Sequence, residues 1–476
     1  MGHDYLCACK SIIDHCRLSA PAVTNQLQTK RVSLLLATAA YAGTLYFAYV
    51  HYLHPVWDYF GFKFAAPDNT RVAMGAFFLL LTSLSQPTNI GHPAPLSLFV
   101  LYFNVYIPSV VVTLTVSSDS SQRYGAILSA LTAVFVIAGL LLRNQRVASG
   151  TTTMPEKLGK LMWALWLAAA SMLLVNYYEV MSLSTGLNIE DIYEQRVAGT
   201  ASTPVLAYTQ TFFSSVFSPG LLAIGIAQRS KLAVLAAIAG AIMMYAITAQ
   251  RTILLLPAIM LLVHHTINWR VSRSYAPSII LCALATVFLC STLFYEESFV
   301  AGVLALMVTF RTIAIPGLTL SQYEDLFSTI GRTNWAHVKG VDLFIAKPEF
   351  AQAESLWPNL GYIVGDQTYN NPIFNVNANL FAGDGVAAGG AFGVLVIGAV
   401  FIAWLKLLER ACKGWPNSFT CLAFLPIAIA MTNGHFFTTM LSFGGIFWIV
   451  IMIGMNPSRG SLKATDEASW DSGPDK

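Results

Sequence analysis

Charged side chains are scarce in this sequence. Lysine and arginine number 27 and aspartate and glutamate 24, so charged residues make up 11% of the 476 residues. Soluble domains carry roughly 25% charged residues, which excludes a water-soluble enzyme. A disordered chain is excluded as well, because 55% of the residues are apolar. The formal net charge of +3 is too small to indicate a basic surface, and we expect no nucleic-acid partner.

Cysteine is also rare. The seven cysteines are too few and too scattered for the disulfide framework of a small secreted protein. Cys7, Cys9 and Cys16 lie near two histidines, but their spacing matches no standard zinc pattern. The sequence also lacks an Asp-x-Asp motif of the kind that holds Mg²⁺ or Mn²⁺. We therefore predict no metal site and no other cofactor.

Long apolar runs, in contrast, recur along nearly the whole chain. The mean hydropathy is +0.60, and a transmembrane helix needs about 20 consecutive apolar residues. About thirty mostly polar residues precede the first run, so we expect a retained anchor rather than a cleaved signal. The pattern predicts an all-α, polytopic integral membrane protein with about twelve transmembrane helices. The predicted spans are 33–53, 72–91, 95–117, 124–142, 160–182, 204–228, 231–249, 252–269, 275–295, 385–407, 417–434 and 436–455.

One further apolar stretch, residues 298–320, decides the topology. Basic residues collect in cytoplasmic loops. If this stretch crossed the membrane, Lys406 and Arg410 would lie on the opposite side; if it does not cross, every basic cluster between the spans is cytoplasmic. We therefore predict a re-entrant or interfacial helix on the outer face. Arg311 at its centre and Pro316 near its end also argue against a free-standing span.

This topology divides the chain into five parts. The long loop is the most informative, because long connections in compact proteins are usually functional. Its aromatic and amide residues are typical of a sugar-binding surface, although a plain folded lid would explain them equally well. The parts are a cytoplasmic N-terminal segment (1–31), a bundle of about nine transmembrane helices (32–295), a large periplasmic loop (296–384), about three further transmembrane helices (385–455) and a cytoplasmic polar tail (456–476).

Two arginines lie where the membrane is expected to end. Arg251 occupies the minimal AQRT turn between two spans, and Arg311 lies inside the apolar stretch 298–320. Charges at membrane depth are costly and usually have a task. The planar guanidinium suits phosphate, so we predict that both arginines are catalytic and contact an anionic lipid head group. The alternative is an internal ion pair with Glu179, Glu296 or Glu297.

Candidate acid–base groups on the same side are few. A general base for a sugar hydroxyl would be a carboxylate or a histidine. His435 lies in a tight turn between the last two spans, and Glu324 and Asp366 lie in the long loop, so we predict these three as catalytic. A helix-capping role for His435 is an equal alternative. Other candidates on this side, to which we assign no role, are His51, His54, His337, Glu296, Glu297, Asp325 and Asp384.

Three sequence features together resemble a known family. They are the AQRT turn, the arginine in the apolar stretch of the late loop, and the segment NVNANLFAGDGVAAGGAFG that enters the next span. The combination is similar to the Wzy-type polymerases of O-antigen and exopolysaccharide repeat units, membrane glycosyltransferases with a GT-C-like fold. The related O-antigen ligases typically have a histidine before that span. Asparagines in its place favour a polymerase; they are Asn375, Asn377 and Asn379.

The resemblance implies a reaction between two undecaprenyl-diphosphate-linked glycans at the periplasmic face of the bacterial inner membrane. The terminal hydroxyl of one repeat unit attacks the anomeric carbon of the growing chain, and undecaprenyl diphosphate leaves. The implied mechanism is metal-independent, with Arg251 and Arg311 stabilising the leaving diphosphate. Implied partners are the lipid bilayer, a chain-length regulator and a flippase, and both termini are cytoplasmic. We expect the substrate to be bound by Glu179, Arg196, Tyr323, Arg332, Asn375, Asn377 and Asn379.

Two other functions compete with polymerisation. A ligase would transfer the glycan onto lipid A core instead of onto another repeat unit. A flippase or transporter of lipid-linked oligosaccharides would also have about twelve spans. Transporters usually carry internal repeats and polar groups near the middle of the membrane, and the sequence shows neither feature.

Overall fold

The structure is a computed structural model that describes residues 28–143, 154–183, 189–268 and 275–456. The predicted N-terminal segment 1–31 lies mostly outside these residues, as do Cys7, Cys9 and Cys16. The predicted polar tail 456–476 lies outside them beyond its first residue. Within the described ranges the chain forms helices and no strands, which confirms the all-α prediction.

Seventeen helices make up the described chain, several of them with a π-helical segment inside. They are α1 (Gln28–Phe60), α2 (Asn69–Ser85), α3 (Pro93–Thr115), α4 (Ser120–Leu142), α5 (Glu156–Tyr177), α6 (Ile189–Ala198), α7 (Pro204–Gln228), α8 (Lys231–Thr248), α9 (Arg251–Asn268), α10 (Ala276–Phe294), α11 (Phe299–Ile330), α12 (Glu349–Ala353), α13 (Leu360–Tyr369), α14 (Ala382–Ala411), α15 (Asn417–Met431), α16 (Phe436–Ser442) and α17 (Gly445–Gly454).

Ten of these helices are long and apolar enough to cross a bilayer, so the chain is a multi-pass membrane protein. Nine of the ten coincide with predicted spans, and the tenth is α11, which we did not expect to cross. The other three predicted spans are shorter in the structure. Helix α2 has 17 residues and α15 has 15, while α16 and α17 form one pair bent by 51°.

Short polar side chains fix where several helices begin. The side chain of Asp68 accepts the N–H of Arg71 at the start of α2, and Ser298 accepts the N–H of Ala301 at the start of α11. Such N-caps satisfy backbone donors that the first turn leaves free. The two caps thus set the first residues of α2 and α11.

Helix α3 forms the centre of the bundle. In its most apolar 18-residue window 94% of the residues are buried, whereas the value for α9 is 17%. Large apolar side chains such as Leu140, Leu174 and Val175 are exposed on the outer helices. A soluble protein rarely exposes so much apolar surface, so these side chains face lipid.

Residues 331–381 cover one end of the bundle, which we call the loop face. The Tyr369 hydroxyl of α13 donates to the Phe60 carbonyl at the end of α1, at 2.8 Å. Ala65 N–H in turn donates to the Thr115 carbonyl at the end of α3, at 3.0 Å. The end of α1, the end of α3 and the following start of α4 therefore lie together at the loop face.

Helix α11 contacts the loop face along much of its length. Phe310, in the π-helical part of α11, stacks on Trp57 near the end of α1, with ring centroids 4.0 Å apart. Further along α11, Asp325 forms an ion pair with Arg123 at the start of α4, at 2.8 Å. Tyr295, just before α11, packs on Tyr52 with ring centroids 4.9 Å apart. The partners at both ends of α11 thus belong to the same end of the bundle.

Candidate functional site

A buried carboxylate marks the beginning of α14. Asp384 is 1% exposed, and its Oδ2 accepts the backbone N–H groups of Phe436 and Phe437 at the start of α16. A negative charge at this position meets the free N–H groups of the helix end. Asp384 therefore ties the entrance of α14 to the turn before α16.

Two histidines approach the other oxygen of this carboxylate. His337 Nε2 lies 3.4 Å from Asp384 Oδ1, and His435 Nδ1 lies 3.5 Å from the same atom. The side chains of His337 and His435 are 4% and 19% exposed. We call these three residues the Asp384 cluster; His435 is its accessible member, at the loop face.

A break in α14 brings the loop segment with His337 to this place. Gly390 has a φ of +59°, a value that L side chains rarely adopt. The non-helical backbone at this point leaves the carbonyls of the first turns without helical partners. Those of Ala387 and Ala388 accept the N–H groups of Thr333 and Asn334, at 2.9 and 3.1 Å. The segment after α11 is thereby docked along the first turns of α14.

Arg332 strengthens this docking. Its guanidinium donates to the Val386 carbonyl at 2.8 Å and to both carboxylate oxygens of Glu324 at 2.8 Å. A Cβ at Gly390 would lie 3.2 Å from Nη2 of Arg332, so the missing side chain makes room for the guanidinium. The bidentate pair is half-buried and connects α11, the loop and α14.

Local contacts also fix both imidazole rings. The Thr333 hydroxyl lies 2.9 Å from His337 Nδ1, and the Trp335 indole N–H donates to the Asp384 carbonyl at 2.8 Å. His435 packs against Gly383, where a Cβ would lie 2.5 Å from a ring carbon of the imidazole. Burial lowers the pKa of His337, and the Asp384 carboxylate partly opposes this change. Burial of His337 thus favours the neutral form of its imidazole.

The two predicted catalytic arginines lie on neighbouring helices. Arg251, the first residue of α9, places Nη1 3.9 Å from the Met307 sulfur of α11. Arg311 follows Met307 by about one turn, and its side chain is exposed. Within the described residues neither guanidinium has a carboxylate oxygen within 4.0 Å. The predicted alternative of an internal ion pair is thus not formed with Glu179, Glu296 or Glu297.

Several residues predicted at the site make contacts that connect distant segments of the chain. Glu324 is paired with Arg332 as described above. The buried Tyr323 hydroxyl donates to the Val376 carbonyl at 2.8 Å. Asn379, buried and at a φ of +84°, donates through Nδ2 to the Pro316 carbonyl at 3.0 Å.

The remaining predicted residues line the surface. Asp366 and Asn377 are half-buried, whereas Arg196 and Asn375 are exposed. Glu179 is exposed and accepts a hydrogen bond from Tyr178. None of these five side chains has a contact with the Asp384 cluster among the described hydrogen bonds and ion pairs.

Two members of the cluster were not assigned a role from the sequence. Asp384 stands between two glycines at the entrance of a predicted span. A charged residue in that position is a sequence signal for a functional role and could have identified Asp384. His337 lies 47 residues before Asp384, and nothing in its local sequence indicates their contact. His435, in contrast, was predicted from its tight turn, and the structure places it at the cluster.

The Asp384 cluster is also the group that can hold a metal ion within the described chain. One ligand atom from each of its three residues lies within 4.8 Å of the others.

No model of a protein family, no curated protein and no solved structure matches the chain.

Proposed function

We propose that the protein is a membrane glycosyltransferase that polymerises undecaprenyl-diphosphate-linked oligosaccharide repeat units. The observation that carries the proposal is the placement of Arg251, whose guanidinium contacts Met307, and of Arg311, about one helical turn after Met307, both without a carboxylate partner in the described chain. Uncompensated cations beside the membrane fit an anionic lipid diphosphate, and this chemistry matches the resemblance seen in the sequence.

The reaction places charge where these arginines can stabilise it. An acceptor hydroxyl forms a bond to the anomeric carbon of the growing chain, and the bond from that carbon to the diphosphate breaks. Negative charge then accumulates on the diphosphate, and fixed guanidinium groups stabilise it without reorganising. The acceptor hydroxyl meets the Asp384 cluster, whose accessible member is His435. Helix α9 packs against α15, which leads to His435, so the arginines and the cluster belong to neighbouring elements.

We further propose the twelve-span topology with the loop face in the periplasm. Helix α11 is long enough to cross, but its contacts at both ends with the loop face favour an interfacial position. With α11 left out and with α2, α15 and the bent pair α16–α17 each counted as one span, the number of membrane spans is twelve. Most basic residues lie on the opposite side under this topology, among them Arg143, Lys160 and Arg229, as the positive-inside rule requires. The protein would reside in the inner membrane and work beside a flippase and a chain-length regulator.

The proposal is tested with purified protein in detergent and lipid-linked repeat units. A ladder of glycans growing by one repeat unit is expected from the wild-type chain. Arg251→Ala and Arg311→Ala should each lower polymer yield by at least about tenfold, the effect of losing about 1.4 kcal/mol of transition-state stabilisation. Arg251→Lys should also be impaired, because a point charge does not replace the planar fork.

Arg410→Ala is the matched control, since Arg410 is an exposed arginine at the far end of α14. It should leave the ladder unchanged. Full-length polymer from both Arg251→Ala and Arg311→Ala would remove the diphosphate site from the mechanism. Movement of lipid-linked glycan between leaflets without a ladder would identify a transporter.

One observation favours the related ligase as a second candidate. His337 is a loop histidine that contacts the entrance of α14, and a histidine before that span is the feature by which ligases are distinguished. The two activities differ in the acceptor. A product on lipid A core, with no ladder from repeat units alone, would identify a ligase.

A further inference from the structure

We propose that His337, Asp384 and His435 form a binding site for one divalent cation of the Zn²⁺ class. The site departs from our sequence-based prediction of a metal-free protein. Two imidazole nitrogens and one carboxylate oxygen are ligands that Zn²⁺ takes in proteins. The three come from the loop, the start of α14 and the turn before α16, so a bound cation would join three separate segments.

The distances in the cluster suit metal ligands better than charged hydrogen bonds. The two nitrogens lie 3.4 and 3.5 Å from Asp384 Oδ1. A hydrogen bond between a charged nitrogen donor and a carboxylate is about 2.7–2.9 Å long. Ligands around tetrahedral Zn²⁺, at bond lengths near 2.1 Å, are separated by about 3.4 Å. Both nitrogen–oxygen separations thus match those around a bound cation, and the three ligand atoms lie within 4.8 Å of one another.

The charge balance of the cluster points the same way. Asp384 is buried, and no lysine or arginine within the described chain forms an ion pair with it. A buried carboxylate needs a compensating positive charge or a full set of hydrogen bonds. Oδ2 has its backbone donors, but Oδ1 has the two imidazoles at long distance. A cation at Oδ1 supplies the missing charge.

The surroundings of His337 resemble the support that metal-binding histidines need. The Thr333 hydroxyl lies 2.9 Å from His337 Nδ1. A hydrogen bond at this nitrogen holds the ring and aims Nε2 at Asp384, as outer-shell partners of metal ligands do. The hydroxyl can accept from Nδ1–H, which is the arrangement that leaves Nε2 as a ligand.

Three protein ligands leave one position of a tetrahedral cation open. His435 is the accessible ligand, so the open position faces the loop face. A bound cation there would take the acceptor hydroxyl as its fourth ligand and lower the pKa of that hydroxyl. This role rests on the proposed function, whereas binding of the cation does not.

The test measures metal content in the full chain, purified in detergent without a histidine tag after growth with added Zn²⁺. Mass spectrometry of the metal is expected to find about one Zn²⁺ per chain. His337→Ala, Asp384→Asn and His435→Ala should each lower the content at least about tenfold. His264→Ala is the control, because this histidine lies near the far end of α9, and it should keep the metal.

A spectroscopic variant keeps the proposal falsifiable if a ligand substitution unfolds the protein. His337→Cys retains a ligand atom, so it should bind Co²⁺ and show the near-ultraviolet charge-transfer absorption of a thiolate–Co²⁺ bond, which the wild-type site lacks. Monodisperse wild-type protein with no more Zn²⁺ than the Asp384→Asn variant would overturn the site. A normal glycan ladder from that protein would leave the proposed function standing, whereas bound Zn²⁺ without a ladder would leave the cation site standing alone.

Discussion

At the scale of single residues, the Asp384 cluster depends on two glycines whose missing side chains leave room for polar groups. His435 occupies the space above Gly383, and the guanidinium of Arg332 occupies the space beside Gly390. Each glycine has an apolar neighbour in the sequence, so the sequence alone would indicate close helix packing at these two positions. Their actual role is to admit two polar side chains from distant segments.

Gly383→Ala tests this at the residue scale. The new Cβ would lie 2.5 Å from the His435 ring, so the ring must move or the helix must shift. We expect destabilisation of about 1–3 kcal/mol, the usual cost of overpacking a filled site. Thermal unfolding in detergent measures it. Gly43→Ala is the matched control, since no atom lies within 4 Å of the added Cβ; an unfolding temperature lowered equally by both would contradict the contact.

At the scale of elements, the broken helix α14 organises the site. Helix α14 supplies Asp384 before the break and releases backbone carbonyls that hold the segment with His337. The ion pair between Arg332 and Glu324 adds α11 to this arrangement. The docked segment is therefore held mainly by polar contacts with helix ends, and these contacts set how firmly His337 is held.

Arg332→Ala should loosen this segment. The substitution leaves the half-buried Glu324 carboxylate without its partner, and an unsatisfied charged group costs at least about 1–3 kcal/mol. Hydrogen exchange should become faster at the backbone N–H groups of Thr333 and Asn334. Arg123→Ala removes an ion pair with Asp325 that is about 40% exposed, so it should cost only about 0–1 kcal/mol. Equal exchange at these groups in both variants would argue against docking by Arg332.

At the scale of the whole molecule, the apolar runs predicted most of the architecture. Nine long helices lie where the runs placed them, because about 20 apolar residues have few alternatives to a transmembrane helix. The runs predicted helices at α2 and α15 but not that these helices stop short of a full span, and they did not predict the bend between α16 and α17. The contact of His337 with Asp384 was beyond sequence reasoning too, since it depends on a break in α14 and on docking across 47 residues.

Side-specific labelling tests the topology. In a chain without native cysteines, Leu343→Cys places a thiol at an exposed position of the loop face. A membrane-impermeant maleimide should label it from the periplasm. Lys413→Cys, beyond the far end of α14, should react only after the membrane is permeabilised. The reverse pattern, with Lys413→Cys labelled from the periplasm and Leu343→Cys only after permeabilisation, would show that α11 crosses the bilayer.

The docking of the loop segment onto α14 also decides which distances in the cluster can change. The segment with His337 is hydrogen-bonded to the first turns of α14, which also carry Asp384. A tilt of these turns therefore moves both residues together and preserves their spacing. His435 belongs to the turn between α15 and α16, which the hydrogen bonds from Phe436 and Phe437 to Asp384 Oδ2 hold against the start of α14. A lateral shift of α15 and α16 would therefore separate His435 from Asp384 only after these two hydrogen bonds break.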